Sequence, residues 1–87
     1  MNVRRKATAG TMQSSDLTVS IEPADRLEIR VESTVKRQFE HLIRARIEEV
    51  LSRHGVERAL VQVSDRGALD YAIAARVETA LRRAAEE

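Results

Sequence analysis

The sequence has 87 residues, enough for one domain, 1–87, and not for two. Its 15 basic and 14 acidic side chains give a formal net charge of +1, whereas nucleic-acid binders and polybasic membrane-surface proteins carry a one-sided basic excess. There is no cysteine, which excludes disulfides, thiolate metal ligands and a cysteine nucleophile, and the lack of a signal-like or membrane-length apolar run predicts a cytoplasmic protein with no membrane partner.

The first part of the chain has the alternation that is typical of strands. Residues 1–7 are predicted to be a flexible lead, and residues 7–12 a short edge strand interrupted by a glycine. Apolar and polar side chains then alternate over 17–22 and again over 27–32, with turn-forming residues at 23–25. Two such runs joined by a short turn predict an antiparallel hairpin with one wet face.

A helical period replaces this alternation in the middle of the chain. From Val35 to Leu51, apolar residues recur at three- and four-residue steps, which is the stripe of an amphipathic helix. Ser33 or Thr34 is expected to cap its start, and Gly55 lies where a glycine commonly ends a helix.

The last third of the sequence predicts one more strand and one more helix. Residues 56–63 have strand character, 64–67 form a turn, and an apolar stripe runs from Leu69 to Ala84, with Asp70 in the first helical turn. A strand–helix–strand unit favours a right-handed parallel crossover. The predicted fold is α+β, a two-layer sandwich in which a small mixed sheet (the N-terminal hairpin plus a third main strand) carries two helices on one face.

Groups that could perform catalysis are scarce. His41 and His54 are too far apart in sequence for a helical metal pair, and His54 at a helix end suits the dipole. Asp25 and Asp65 lie in predicted turns, where carboxylates are usually solvated. We therefore predict no catalytic residue and no metal site.

Ser14, Ser15 and Asp16 allow two interpretations. In one, these side chains satisfy nearby backbone N–H groups in a turn, and the residues alone favour it. In the other, a loop hydroxyl accepts a group that another enzyme attaches, since no histidine precedes residue 41 to activate a serine nucleophile.

Three segments, residues 7–16, 33–39 and 65–70 with 75–78, resemble the acyl carrier protein of citrate lyase, the gamma chain. They come in the family's order and spacing and span nearly the whole chain. The resemblance implies a carrier, not itself an enzyme, whose serine bears 2′-(5″-phosphoribosyl)-3′-dephospho-CoA through a phosphodiester.

The serine at the attachment position of this family is Ser14, with Ser15 as the alternative, and Gly10 and Asp16 belong to the supporting loop. Ser15 stands where the family usually has glycine. If that turn needs a positive φ, serine there costs roughly 1 kcal/mol relative to glycine.

The resemblance also implies partners. An alpha subunit (CoA-transferase) would exchange the acetyl group of the arm for citrate, releasing acetate. A beta subunit (citryl lyase) would cleave the citryl thioester to oxaloacetate and restore the acetyl thioester. A further transferase would attach the prosthetic group.

Three alternatives remain open. The carrier subunit of malonate decarboxylase resembles the chain around the serine. A non-catalytic α+β interaction module would leave the serine at most a kinase target. An RNA-binding domain is disfavoured by the net charge, and by Phe39 and Tyr71 being the only aromatics, which are expected in the core or at its rim.

Overall fold

The computed structural model of the protein describes residues 1–33 and 39–86. These residues form four strands and two helices in a two-layer α+β arrangement, as predicted. The elements are β1 (Ala7–Gly10), β2 (Leu17–Glu22), β3 (Leu27–Ser33), α1 (Glu40–Arg53), β4 (Ala59–Asp65) and α2 (Asp70–Ala85).

The sheet is mixed, with strand order β1-β2-β4-β3. β1 and β4 both run antiparallel to β2, and β3 is parallel to β4, which confirms the parallel β3–α1–β4 unit. The predicted hairpin between the runs at 17–22 and 27–32 is wrong, because β4 lies between them. Alternation indicates only which face of a strand is buried. Two strands show the same alternation whether they pair directly or have a third strand between them.

The connection at residues 23–26 is long enough for this arrangement. β2 and β3 each border β4, so they lie two strand spacings apart, about 10 Å. Four residues between two strand ends reach farther than that. The backbone N–H of Ala59, the first residue of β4, donates to the carbonyl of Arg26 at 3.2 Å.

The two faces of the sheet differ sharply. Side chains on the inner face are apolar and pack with the helices in a single core, which holds Leu17, Val19, Ile21, Ile29, Val61 and Val63 from the sheet and Ile47, Leu51, Val77 and Leu81 from the helices. The cross-strand register places polar residues on the other face, among them Thr18 opposite Ser64 and Ser20 opposite Gln62. Both helices cover one face, as predicted.

The apolar period predicted a helix from Val35 onward, and the described helix is α1. Its first residue is Glu40 and its N-cap is Phe39. Ser33 does not cap it, because Ser33 is the last residue of β3, where its hydroxyl donates to Asp65 Oδ2 at 3.0 Å. The other proposed cap, Thr34, and the start of the apolar stripe at Val35 lie outside the described residues.

The end of α1 is the glycine cap that was predicted. Gly55 has φ +68°, and its N–H donates to the carbonyl of Ser52 at 3.0 Å. The next N–H, that of Val56, donates to the carbonyl of Leu51, also at 3.0 Å. This pair of bonds is a Schellman motif, and the buried side chains of Val56 and Leu51 accompany it.

The N-terminal residues contact the C-cap of α1 and the last turn of α2. The amino group of Met1 donates to the carbonyl of His54 at 2.7 Å, and the N–H groups of Arg4 and Arg5 both donate to the carbonyl of Ala84. The flexibility of this lead stays a prediction. No described helix is long and apolar enough to cross a bilayer.

Candidate functional site

The serine pair lies in a tight turn between β1 and β2. The N–H of Asp16 donates to the carbonyl of Gln13 at 3.3 Å, which closes a four-residue turn with the two serines at its centre. Ser15 has φ +63° and is the one described non-glycine residue with a positive φ. The left-handed conformation therefore occurs where the related family usually has glycine.

Ser14 is at the exposed tip of this turn. Among the described residues its hydroxyl has no hydrogen-bond partner. Backbone contacts instead hold its neighbour, since the N–H of Ser15 donates to the carbonyl of Arg66 at 2.8 Å. The turn is thus fixed through Ser15 while the hydroxyl of Ser14 faces solvent.

Gly10 makes the loop possible at its other end. Its φ is +96°, and a Cβ added there would lie 1.8 Å from the carbonyl oxygen of Leu17. No side chain fits that space. The N–H of Thr11 then donates to the same carbonyl at 3.2 Å, so the two strands approach closely where the loop leaves β1.

Asp16 is the centre of the loop's hydrogen bonds. Thr11 Oγ1 donates to its Oδ2 at 2.6 Å, and the N–H of Leu17 donates to its Oδ1 at 2.8 Å. Arg76 on α2 contacts both carboxylate oxygens, with Nε–Oδ1 at 3.2 Å and Nη2–Oδ2 at 2.9 Å. One carboxylate therefore ties the loop to its own strand and to the helix.

These donors stabilise the charged form of Asp16. The hydrogen bond from Thr11, followed by those from Arg76 and the N–H of Leu17, lowers the pKa of the Asp16 carboxyl from 3.8 to about 2. Asp16 is thus a structural anion at neutral pH.

A second carboxylate, that of Asp65, orders the neighbouring β4–α2 turn. We expected Asp65 to be solvated, but it is only 3% exposed because the last residue of β4 faces the inner side of the sheet opposite Leu17. It accepts from the N–H groups of Gly67 at 3.1 Å and Ala68 at 2.9 Å. The turn that it orders supplies Arg66, which binds the backbone of the serine loop.

Two backbone hydrogen bonds of opposite direction join the serine loop to the β4–α2 turn. The carbonyl of Arg66 accepts from Ser15, and its N–H donates to the carbonyl of Asp16 at 2.9 Å. Gly10 and Asp16, the residues proposed as loop support, therefore both hold the turn that presents Ser14. The role of Ser14 as an attachment point stays a prediction.

The histidines do not join this site. His41 is exposed on α1, while His54 is the C-cap of that helix, with Nε2 3.8 Å from Glu78 Oε1. In the described part of the chain, no group of three or more potential metal ligands occurs. Asp25 is exposed in the β2–β3 connection, as expected.

Comparisons with known proteins decide the family. A family model described as the malonate decarboxylase delta subunit (MdcD) matches residues 4–84. Citrate lyase acyl carrier proteins of Haemophilus influenzae (strain PittEE) and Treponema denticola are each 45% identical over 87 residues, covering 100% of this chain and 92% and 100% of those proteins. The chain belongs to the citrate lyase acyl carrier protein family. Members of this family are carrier subunits rather than catalysts, and a covalently attached prosthetic group is implied for a citrate lyase acyl carrier protein.

A solved structure supports the fold of this acyl carrier protein. In a Pseudomonas malonate decarboxylase hetero-tetramer in complex with malonate, one chain superposes with a TM-score of 0.72 at 24% identity. The match covers 93% of this chain and 84% of that one. The two share their architecture.

Sequence reasoning found the turn of this carrier and its local support, and it missed the distant contacts. Arg76 is 60 residues from Asp16. It lies in the segment 75–78 that carried the resemblance, but the helical pattern does not indicate Asp16 as its partner. Thr11 gave a weak signal, as a hydroxyl next to the glycine that ends β1. The burial of Asp65 could have been inferred by extending the strand alternation of 59, 61 and 63 by one step.

Proposed function

We propose that the chain is the acyl carrier subunit of citrate lyase and that Ser14 carries 2′-(5″-phosphoribosyl)-3′-dephospho-CoA through a phosphodiester. Both serines are exposed, and one observation carries the choice between them: no described hydrogen bond holds Ser14, while the backbone of Ser15 is held in a left-handed conformation by its bond to Arg66. A modifying enzyme can approach Ser14 without disturbing the fold.

The residues present fit such a group. A bulky substituent on Ser14 displaces no described hydrogen bond of its hydroxyl and enters solvent rather than the core. The group, when bound, supplies a thiol for thioester chemistry, which this cysteine-free chain lacks. Nothing in the turn needs to rearrange to accept it.

The chain's own residues position the arm. Thr11, Asp16 and Arg76 hold the base of the loop, and Arg66 holds the backbone of the turn. The attachment point therefore has a defined place relative to the sheet, while the arm itself stays mobile. Tethering of this kind replaces a bimolecular encounter by an effective concentration that reaches the millimolar range for short flexible links.

Catalysis would belong to the partners. In this proposal an alpha subunit (CoA-transferase) and a beta subunit (citryl lyase) together cleave citrate to acetate and oxaloacetate, and a separate transferase attaches the arm. The carrier contributes the tether and a docking surface.

The second candidate is the carrier subunit of malonate decarboxylase. It is favoured by the description of the matching family model and by the shared fold with the decarboxylase chain. The 45% identity to citrate lyase carriers over the full chain weighs more. Reconstitution of the loaded chain with citrate lyase subunits or with decarboxylase subunits separates the two.

The first test is the intact mass of the protein produced together with its native modifying enzymes. We expect an added mass equal to the phosphoribosyl-dephospho-CoA group, absent in Ser14→Ala and retained in Ser15→Ala. The two variants change neighbouring residues in the same way, so each is the control of the other.

Two results would contradict the proposal in different ways. Loss of the added mass in Ser15→Ala alone would move the site by one residue and keep the carrier. No added mass on the unaltered chain, with enzymes that modify a known carrier in the same experiment, would remove the arm from the proposal altogether.

A further inference from the structure

The outer face of the sheet, opposite the two described helices, carries a groove of mixed polar and apolar lining next to the serine loop. Its volume is about 560 Å³, and it is lined by Lys6, Met12, Thr18, Ser20, Arg30, Val31, Glu32, Gln62, Val63 and Ser64. We propose that this groove is a binding site for the phosphate and nucleotide part of the arm carried on Ser14. This inference rests on the proposed function.

The shape of the groove follows from the cross-strand register. Short polar side chains form its floor, because Thr18 pairs with Ser64 in the two central strands. Longer side chains form its walls, with Arg30 on β3 on one side and Lys6, just before β1, on the other. The result is a trough running across the middle of the sheet.

The chemistry of the lining suits a phosphorylated ligand. The hydroxyls of Ser20 and Ser64 can donate hydrogen bonds to phosphate oxygens, and Lys6 and Arg30 supply positive charge. In the described part of the chain, Lys6 has no carboxylate within ion-pair distance. Arg30 pairs with Glu28 through Nε, which leaves its Nη donors for a ligand.

The carboxylate of Glu32 determines which way the arm would lie in the groove. Glu32 lines the groove and pairs in register with Ser64, whereas Arg30 pairs with Gln62, one step farther along the sheet. An anionic group is therefore repelled at the Glu32 step. Glu28 reduces the attraction at the Arg30 step, so Lys6 supplies most of the positive charge. The phosphates belong between Arg30 and Lys6, and an uncharged part of the arm passes Glu32.

The groove also starts where the arm is attached. Met12 lines it and lies two residues before Ser14, so their Cα atoms are at most about 7 Å apart. Thr18 Oγ1 donates to Met12 Sδ at 3.0 Å, which holds this side chain at the groove's edge. An arm leaving Ser14 toward this side meets the thioether of Met12 first.

Tethering makes even weak recognition effective. At an effective concentration of about 1 mM, a site with a dissociation constant of about 1 mM is half occupied. The groove therefore needs few contacts to serve as a resting position for the arm, and weak binding leaves the thiol end available to the catalytic partners.

The test compares amide ¹H–¹⁵N spectra of the chain before and after loading, with the added mass on Ser14 verified first. Beyond the turn itself, we expect chemical-shift changes at Thr18, Ser20, Gln62 and Ser64. Added to the unloaded chain, free dephospho-CoA should shift the same amides, saturating in the millimolar range.

Charge variants of the loaded chain give the matched control. Lys6→Glu should lower the occupancy of the groove from about half to below about a fifth, whereas Lys6→Arg should retain it. Arg58→Glu also reverses an exposed cation, but Arg58 does not line the groove, so this variant should leave the shifts unchanged.

The outcomes separate this inference from the function on which it rests. Shift changes confined to residues 11–16 in a fully loaded chain would overturn the groove and leave the carrier intact. Equal effects of Lys6→Glu and Arg58→Glu would likewise refute a specific site. Failure of loading, seen by mass, would overturn both.

Discussion

At the residue scale, Ser15 is held in a conformation that suits glycine better. Its φ of +63° places Cβ close to the following carbonyl, which costs an L-residue roughly 1 kcal/mol or more. The hydrogen bond from its N–H to Arg66 keeps it there. Ser15→Gly should therefore raise the free energy of unfolding by about 1 kcal/mol, as measured by urea titration.

The neighbouring serine provides the control for this prediction. Ser14 has no positive φ, so Ser14→Gly only adds conformational freedom to the unfolded chain and should lower stability by about 0.4–1 kcal/mol. The two substitutions are chemically identical and adjacent. If both destabilise the protein, the left-handed conformation of Ser15 is not where the strain lies.

A second prediction at this scale concerns acid stability. The pKa of Asp16 is about 2 in the folded protein against 3.8 ordinarily, because Thr11 and Arg76 stabilise its charged form. Such a lowered pKa contributes stability that is fully present above pH ~4 and is lost as the pH falls toward ~2. Asp16→Asn should therefore be less stable at pH 7 and show a flatter decline of unfolding free energy between these pH values.

Glu78 gives the comparison for this measurement. Its pKa is also lowered, chiefly by the hydrogen bond from Arg82, but it lies on the surface of α2 and away from the serine loop. Glu78→Gln should change acid stability without affecting loading of Ser14, whereas Asp16→Asn should slow loading as well. A loading rate that Asp16→Asn leaves unchanged would show that the modifying enzyme orders the loop itself.

How far this site was predictable depends on sequence separation. The turn at Ser14–Asp16 and the close approach at Gly10 are local, and turn-forming residue types reveal both. The backbone of Arg66 and the side chain of Arg76 come next to the loop only when the chain folds. The sequence around an arginine in a charged helix does not indicate which distant carboxylate it will contact. The turn that presents Ser14 and its local support at Gly10 and Asp16 were therefore predictable, whereas the contacts from Arg66 and Arg76 were not.

At the element scale, the faces of the strands were predictable and one pairing was not. Alternation over 17–22 correctly indicated the buried side chains of β2. In β3 it was right for Ile29, but Val31 is half-buried and Leu27 is 39% exposed. The partners of these two strands depend on β4, which bonds to both β2 and β3 and becomes an inner strand. Whether a short connection closes a hairpin or spans a third strand is decided by the β3–α1–β4 crossover, which local patterns do not encode.

One end of α1 was predictable from local sequence, and the other was not. Gly55 was predictable because the residue directly after the C-cap in a Schellman motif has to tolerate a positive φ. Ser33 was misassigned because a serine before an apolar stripe has the same appearance whether it caps a helix or ends a strand. Its partner, the buried carboxylate of Asp65, is 32 residues away.

At the scale of the whole molecule, the core that stabilises the fold and the loop that presents Ser14 lie in different parts. The aliphatic core lies between the helices and the inner sheet face, while the serine loop projects from one end of that sheet. A chain of 87 residues has roughly 4–13 kcal/mol of total stability. A single large core substitution therefore removes a substantial part of it without contacting the loop.

Two leucines on α1 test this separation with the same substitution on the same helix. Leu51 is 0% exposed and Leu42 is 55% exposed. Leu51→Ala should lower the free energy of unfolding by about 2–5 kcal/mol, because it removes buried apolar area and leaves a cavity. Leu42→Ala should change the free energy of unfolding by no more than about 0.5 kcal/mol.

Below its unfolding temperature, Leu51→Ala should still be loaded at Ser14 at the rate of the unaltered chain, measured by mass. Slower loading of the folded variant would show that the core and the loop are coupled, and the carrier would then have to be treated as a single cooperative unit from its core to its serine.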